Sequence, residues 1–148
     1  FSKNNRALQL NPIELAKDTS ALNKAIDWVI KAEIGRPILV YASAPPDTVK
    51  EIQQTLGQDL ASSTVENAMA KIASEAVKNG FRRIVVAGGE TSGAVVSKLG
   101  INSILIGKEI DPGVPATVSV GTPIISLVLK SGNFGSVDFF EKAFKQMP

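Results

Sequence analysis

Apolar residues recur along this chain in two rhythms, and the alternation between them predicts its layout. Leu22, Ala25, Ile26, Val29 and Ile30 keep the 3.6-residue spacing of a helix face, and Gly35 follows as a stop. Pro37 to Tyr41 (PILVY) is a short unbroken apolar run, the pattern of a strand covered on both faces. Asp47 is placed to cap a helix carrying Val49, Ile52 and Leu56 and ended by Gly57. Ser63 and Glu66 fit a capping box for a further helix with Val65, Met69, Ile72, Ala73, Ala76 and Val77, stopped at Gly80. Arg83 to Ala87 (RIVVA) repeats the buried-strand pattern. Asn102 to Ile106, Thr117 to Val120 and Ile124 to Leu129 read as three more strands, the last two joined as a hairpin across Gly121 to Pro123. Ser136 is placed to cap a final helix with Val137, Phe140, Ala143 and Phe144. Such alternation predicts an α/β fold: a three-layer-like arrangement with a mixed, largely parallel sheet, flanking helices and glycine-rich ligand loops at strand ends.

Composition narrows the chemistry. The 148 residues suffice for one domain, 1–148, with an ordinary core. With 16 basic and 14 acidic residues the net charge is +2, and the signs are interspersed, which argues against a nucleic-acid partner. The chain has no Cys and no His. Disulfides, thiol nucleophiles, Ser-His-Asp triads and His-ligated metals are therefore excluded. Any metal must be a hard cation held by oxygen, such as magnesium. The apolar runs are too short to span a bilayer, and no targeting segment is visible, so a cytoplasmic location without membrane contact is expected. The start at Phe1, in a polar stretch, reads as that of a fragment of a longer protein.

Nine of the twelve glycines lie between Gly88 and Gly135. The first cluster, Ala87 to Ala94 (AGGETSGA), follows a strand pattern and opens a helix containing Val95, Val96 and Leu99. A helix start at a strand's carboxyl end offers free amides and the positive end of the helix dipole. Gly88, Gly89 and Gly93 remove side chains that would hold an anion away, and Thr91 and Ser92 add hydroxyls. Gly88 and Gly93 have the glycine spacing of a P-loop, but Ala94 and Val95 stand where its Lys and Ser/Thr would be. The pattern suits a phosphate, with a tight packing turn as the alternative.

The second cluster, Lys130 to Gly135 (KSGNFG), repeats the arrangement before the last helix. Lys130 is a point charge at a strand end, able to meet a phosphate or to stay solvated. In Gly107 to Pro115 (GKEIDPGVP), Glu109 and Asp111 stand two apart. A rigid turn, with Asp111 bonding its own backbone, is favoured over a carboxylate pair. Tyr41, Ser43, Pro45 and Pro46 follow a strand and are placed to approach the same cleft. Trp28 reads as packing, and Arg82 and Arg83 as a solvated lead-in to a strand.

Taken together, VVAGGETSGAVVSKLGI, IGKEIDPGVP and LKSGNFGSVDFFEKA resemble the C-terminal nucleotide-binding domain of the four-carbon acid sugar kinases, which include 3-oxo-tetronate, D-threonate and D-erythronate kinases. The resemblance implies ATP-dependent phosphorylation of a four-carbon sugar acid held mainly by an N-terminal domain. It implies that Gly88, Gly89, Glu90, Thr91, Ser92 and Gly93 contact the nucleotide phosphates of ATP or ADP, and that Lys130, Ser131, Gly132 and Asn133 line the same site. It also implies a serine-rich segment upstream that completes the site. Magnesium (Mg2+) is expected with ATP, held by Glu90 or Asp111. No motif supplies a catalytic base. The isolated chain is expected to bind nucleotide without turnover, and a homo-oligomer is compatible with the pattern. The alternative reading is a non-catalytic nucleotide or sugar-phosphate binding module.

Overall fold

A computed structural model describes residues 1–148. It contains strands β1 (Arg6–Gln9), β2 (Ile38–Tyr41), β3 (Arg83–Ala87), β4 (Ile104–Asp111), β5 (Val114–Ser119) and β6 (Ser126–Lys130). The helices are α1 (Pro12–Lys17), α2 (Thr19–Ile30), α3 (Pro46–Leu56), α4 (Gln58–Lys78), α5 (Gly89–Lys98) and α6 (Phe139–Gln146).

The strands form two sheets. β1 and β2 pair in parallel, and the other four follow the order β3-β6-β5-β4. β3 and β6 pair in parallel, while β5 runs antiparallel to both β6 and β4. Three of these four strands thus share a direction and β5 alone opposes them. The mixed α/β expectation holds, including the antiparallel β5–β6 connection.

The four-stranded sheet is the middle of three layers. On one face Val128, Ala116 and Val114 pack against Phe139, Ala143 and Met147 of the α6 region. On the other, Val86 packs on Val95 of α5 and Ala70 of α4, and Leu127 packs on Val77. Adjacent residues Leu127 and Val128 serve opposite layers because strand side chains alternate, and both are fully buried. α4 also reaches the first sheet, where Ala68, Ile72 and Ala76 join Leu10, Ala25 and Val29.

Four local expectations are corrected. Ser63 caps nothing: α4 already starts at Gln58 after the single-residue break at Gly57 (φ 81°), and the Ser63 hydroxyl donates back to the Leu60 carbonyl. Asp47 sits inside the first turn of α3, whose N-cap is Pro45. Ser136 lies outside α6, which starts three residues later, because the Asp111 carboxylate takes both its amide and its hydroxyl. The rigid turn expected from Pro112, Gly113 and Pro115 is present but confined to Pro112 and Gly113, since pairing of Glu109 with Pro115 and of Asp111 with Val114 carries the strands up to it. Within that hairpin Glu109, rather than Asp111, accepts from the backbone, at the Gly113 amide (2.7 Å). β1 (RALQ), just after the polar opening, is not anticipated from the sequence, and neither is α1; parallel pairing with β2 makes β1 a strand.

Arg83 is exposed at the start of β3, as expected of a strand lead-in, but it is also engaged. Its guanidinium donates to the Phe144 carbonyl and lies over the Phe144 ring, 5.6 Å from the centroid, pinning α6 to β3.

Candidate functional site

The two glycine loops leave the sheet side by side. β3 and β6 are neighbours in register, with Ala87 opposite Lys130, and the Gly88 amide donates to the Lys130 carbonyl at 2.8 Å. Gly88 (φ 125°) turns the chain and is the N-cap of α5. A Cβ there would meet Thr91 Oγ1 at 3.2 Å, so this glycine serves the turn itself. The amide of Ser92 is the first in α5 to find a backbone acceptor, the Gly88 carbonyl at 2.9 Å. Those of Gly89, Glu90 and Thr91 have none within the chain, as the opening turn of a helix dictates. Ten residues of α5 thus present their positive end at the carboxyl edge of β3.

Gly89, Gly93 and Gly132 differ from Gly88. Their backbones need no left-handed conformation, and a Cβ on any of them would meet nothing within 4 Å. Gly89 and Gly93 nevertheless stand within a helix, where glycine costs about 0.5–1 kcal/mol relative to alanine. Folding does not require them.

Lys130 is half-buried, and its ammonium donates to the carbonyls of Ser131 (3.0 Å) and Gly132 (2.9 Å). Ser131, Gly132 and Asn133 are exposed. Thr91 is half-buried at the mouth, whereas the Ser92 side chain is buried and its Oγ has no hydrogen-bond partner. The far side of this loop is rigidly built: Gly135 (φ 92°) packs against Phe139, where a Cβ would come within 2.8 Å of the ring.

A carboxyl pair flanks the α5 start. Glu66 of α4 lies against Glu90; burial first, and the Glu90 charge second, hold its carboxyl above the ordinary value. Sequence reasoning missed Glu66 because it read that residue as half of a capping box. Asp111 is elsewhere engaged: one oxygen accepts from Ser136 and the other from Lys142 Nζ (3.2 Å), and the Ser136 bonds lower its pKa. No group of three or more acidic residues is arranged as a metal site. Oxygen donors at Glu66 and Glu90 suit a hard cation that takes its other ligands from phosphates; Asp111 does not, because its oxygens are already occupied.

Tyr41, the last residue of β2, and Ser43 line an apolar cavity together with Ala87 and Thr91; Pro45 and Pro46 do not reach it. No helix is long and apolar enough to cross a membrane.

Comparison with known proteins identifies the chain's relatives. Residues 1–140 match the family described as "Nucleotide-binding C-terminal domain". A 3-oxo-tetronate kinase of Pseudomonas savastanoi pv. phaseolicola is 49% identical over 144 residues, covering 97% of this chain and 33% of its own length. The Burkholderia multivorans 3-oxo-tetronate kinase is 45% identical over 141 residues, with 95% and 33% covered. A crystal structure of a Haemophilus influenzae protein superposes with TM-score 0.88 at 39% identity, covering 97% of this chain and 35% of that one. The chain thus spans about a third of the length of the curated relatives it matches.

Proposed function

This chain belongs to the family of nucleotide-binding C-terminal domains, and from that premise we propose that it is the ATP-binding part of a cytoplasmic kinase that phosphorylates a four-carbon sugar acid. The sugar acid is bound mainly by a preceding domain. The observation that carries this reading is the side-by-side exit of two glycine loops at the β3 and β6 ends, joined by the Gly88–Lys130 hydrogen bond.

In this reading the amides of Gly89, Glu90 and Thr91 hold phosphate oxygens with the helix dipole behind them. The bare surfaces of Gly89, Gly93 and Gly132 let the phosphates approach the backbone. The Lys130 ammonium exchanges its loop carbonyls for phosphate oxygens, and Ser131 and Asn133 supply further polar contacts. Phosphoryl transfer demands positioning and charge stabilisation more than covalent chemistry, which suits a site without Cys or His. Glu90, with Glu66, is the donor set for magnesium, which when bound offsets the charge of the phosphates. The relatives' name, 3-oxo-tetronate kinase, supports the substrate class.

Thermal unfolding with and without Mg-ATP tests the assignment, on the 148-residue chain and on the full-length protein. Ligand at about 100 times its dissociation constant adds about 2.7 kcal/mol, a rise of roughly 5–15 °C. A rise in neither protein would refute nucleotide binding. A rise only in the full-length protein would show that a preceding segment completes the site. The full-length protein should also phosphorylate four-carbon sugar acids, and the 148-residue chain should not.

A further inference from the structure

The two sheets are not hydrogen-bonded to each other. No hydrogen bond joins β2 to β3; β2 pairs only with β1, and β3 only with β6. Between them lies a cavity of about 600 Å³. Every residue of β2 and every residue of β3 lines it. Side chains alternate across a strand, so a cavity lying on a sheet face touches every second residue; one that touches all of them looks at the strand's edge. The cavity is therefore a slot bounded by two strand edges.

The hydrogen bonds already made show which backbone groups face into it. Tyr41 turns its carbonyl to β1, where the Leu10 amide meets it at 2.7 Å. The amide and carbonyl of one strand residue point to the same side, and successive residues alternate, so Ile38 and Val40 present theirs to the slot. On the other wall the Arg82 carbonyl and the Gly88 amide are bonded to β6 residues, which leaves the groups of Arg83, Val85 and Ala87 facing the slot. Both walls thus offer unpaired donors and acceptors in strand spacing. Buried backbone groups left without partners cost free energy, so the fold has a standing demand for a strand here.

The floor and roof specify that strand's side chains. Met69, Ile72 and Ala73 of α4 lie on one side, and Phe140 and Phe144 of α6 on the other; 20 of the 24 lining residues are hydrophobic. A five-residue strand in a covered sheet, at about 3.3 Å per residue, about 4.8 Å between neighbours and about 10 Å between layers, fills on the order of 800 Å³. The slot is of that order.

We propose that this slot seats one further β-strand, apolar on both faces, supplied by the part of the longer protein that precedes this domain, and that its insertion joins the two sheets into one. The relatives are about three times as long as this chain, and the matched family is named for a C-terminal position, so they have chain ahead of the domain to provide it. Thr91 and Ser43 stand at one end of the slot. The inserted strand therefore ends against the first turn of α5. The inference rests on the two strand edges, not on nucleotide binding.

The test is nuclear magnetic resonance on the full-length protein without nucleotide, which keeps it independent of ATP binding. The amides of Val40, Val85 and Ala87 are expected to exchange with solvent as slowly as those of Tyr41 and Val86, which already face β1 and β6. Nuclear Overhauser contacts from the Val40 and Val85 amides should lead to α-protons of one strand lying before Phe1. Fast exchange at Val40 and Val85 would overturn the proposal. So would direct contacts between β2 and β3, or contacts that a mixture of differently labelled copies assigns to a second molecule.

Discussion

The carboxylate of Asp111, at the end of β4, accepts both the amide (2.8 Å) and the hydroxyl (2.7 Å) of Ser136, 25 residues further on. Its other oxygen meets Lys142 of α6. One buried acid thereby ties the β4–β5 hairpin, the segment after the second glycine loop and the last helix into a single unit. The loop that carries Lys130 is held in place from its far end.

That relationship predicts an acid sensitivity. Hydrogen bonds from Ser136, aided by Lys142, hold the Asp111 pKa below its ordinary value. A depressed folded pKa stabilises the fold above the unfolded value of about 3.9, and the contribution is lost as the pH falls through the folded value. Asp111→Asn should lower the unfolding midpoint at pH 7, and its deficit against the wild type should shrink below about pH 4. Thermal scans from pH 2 to 8 check this; a deficit constant across that range would refute it.

Glu66 predicts the opposite sign. Its folded pKa is raised, by burial and then by Glu90, so its contribution is present below the unfolded value of about 4.3 and is lost as the pH rises through the folded value. Glu66→Gln should be more stable than the wild type at pH 7, and the gap should close at low pH. If the acid pair also holds magnesium, both Glu66→Gln and Glu90→Gln should raise the magnesium concentration needed for ATP turnover by the full-length protein.

Gly93→Ala separates a ligand glycine from a folding glycine. Nothing lies within 4 Å of the added methyl group, so the helix should gain about 0.5–1 kcal/mol. ATP affinity should fall, as read by calorimetry on the full-length protein. Gly135→Ala should behave in reverse, losing about 1–3 kcal/mol through positive φ and the Phe139 contact.

Lys130→Met should weaken ATP binding about tenfold or more, equivalent to about 1.4 kcal/mol. Stability should change by about 0.5 kcal/mol or less, because the Lys130 ammonium hydrogen-bonds exposed carbonyls of its own loop and its cation–π contact with Phe139 is long, 5.9 Å to the centroid. Unchanged affinity would remove Lys130 from the site.

Much of this architecture was legible in the order of residues, because its determinants are local. Period and punctuation located RIVVA as β3 to the residue, α2 and α4 by their apolar stripes, and the antiparallel β5–β6 connection. The two glycine clusters were visible for the same reason: a backbone that must turn sharply or stay bare writes its need into a few consecutive residues.

What the order of residues could not reveal depends on partners distant along the chain. Ser136 has every local mark of a helix cap, yet Asp111 claims it from another element. Glu66 has the spacing of a capping box, yet α4 is already under way there and its carboxyl meets Glu90. β1 is only four residues, RALQ, too short to show a period, and becomes a strand by pairing with β2. The sequence by itself determined most of the helices and strands, though not β1 or α1, and where the backbone stays bare, since steric freedom and hydrophobic period act over a few residues. Only the tertiary structure decided that the two glycine loops share one edge and that two strand edges confront each other across an apolar slot, because hydrogen bonding and burial join residues that the chain keeps far apart.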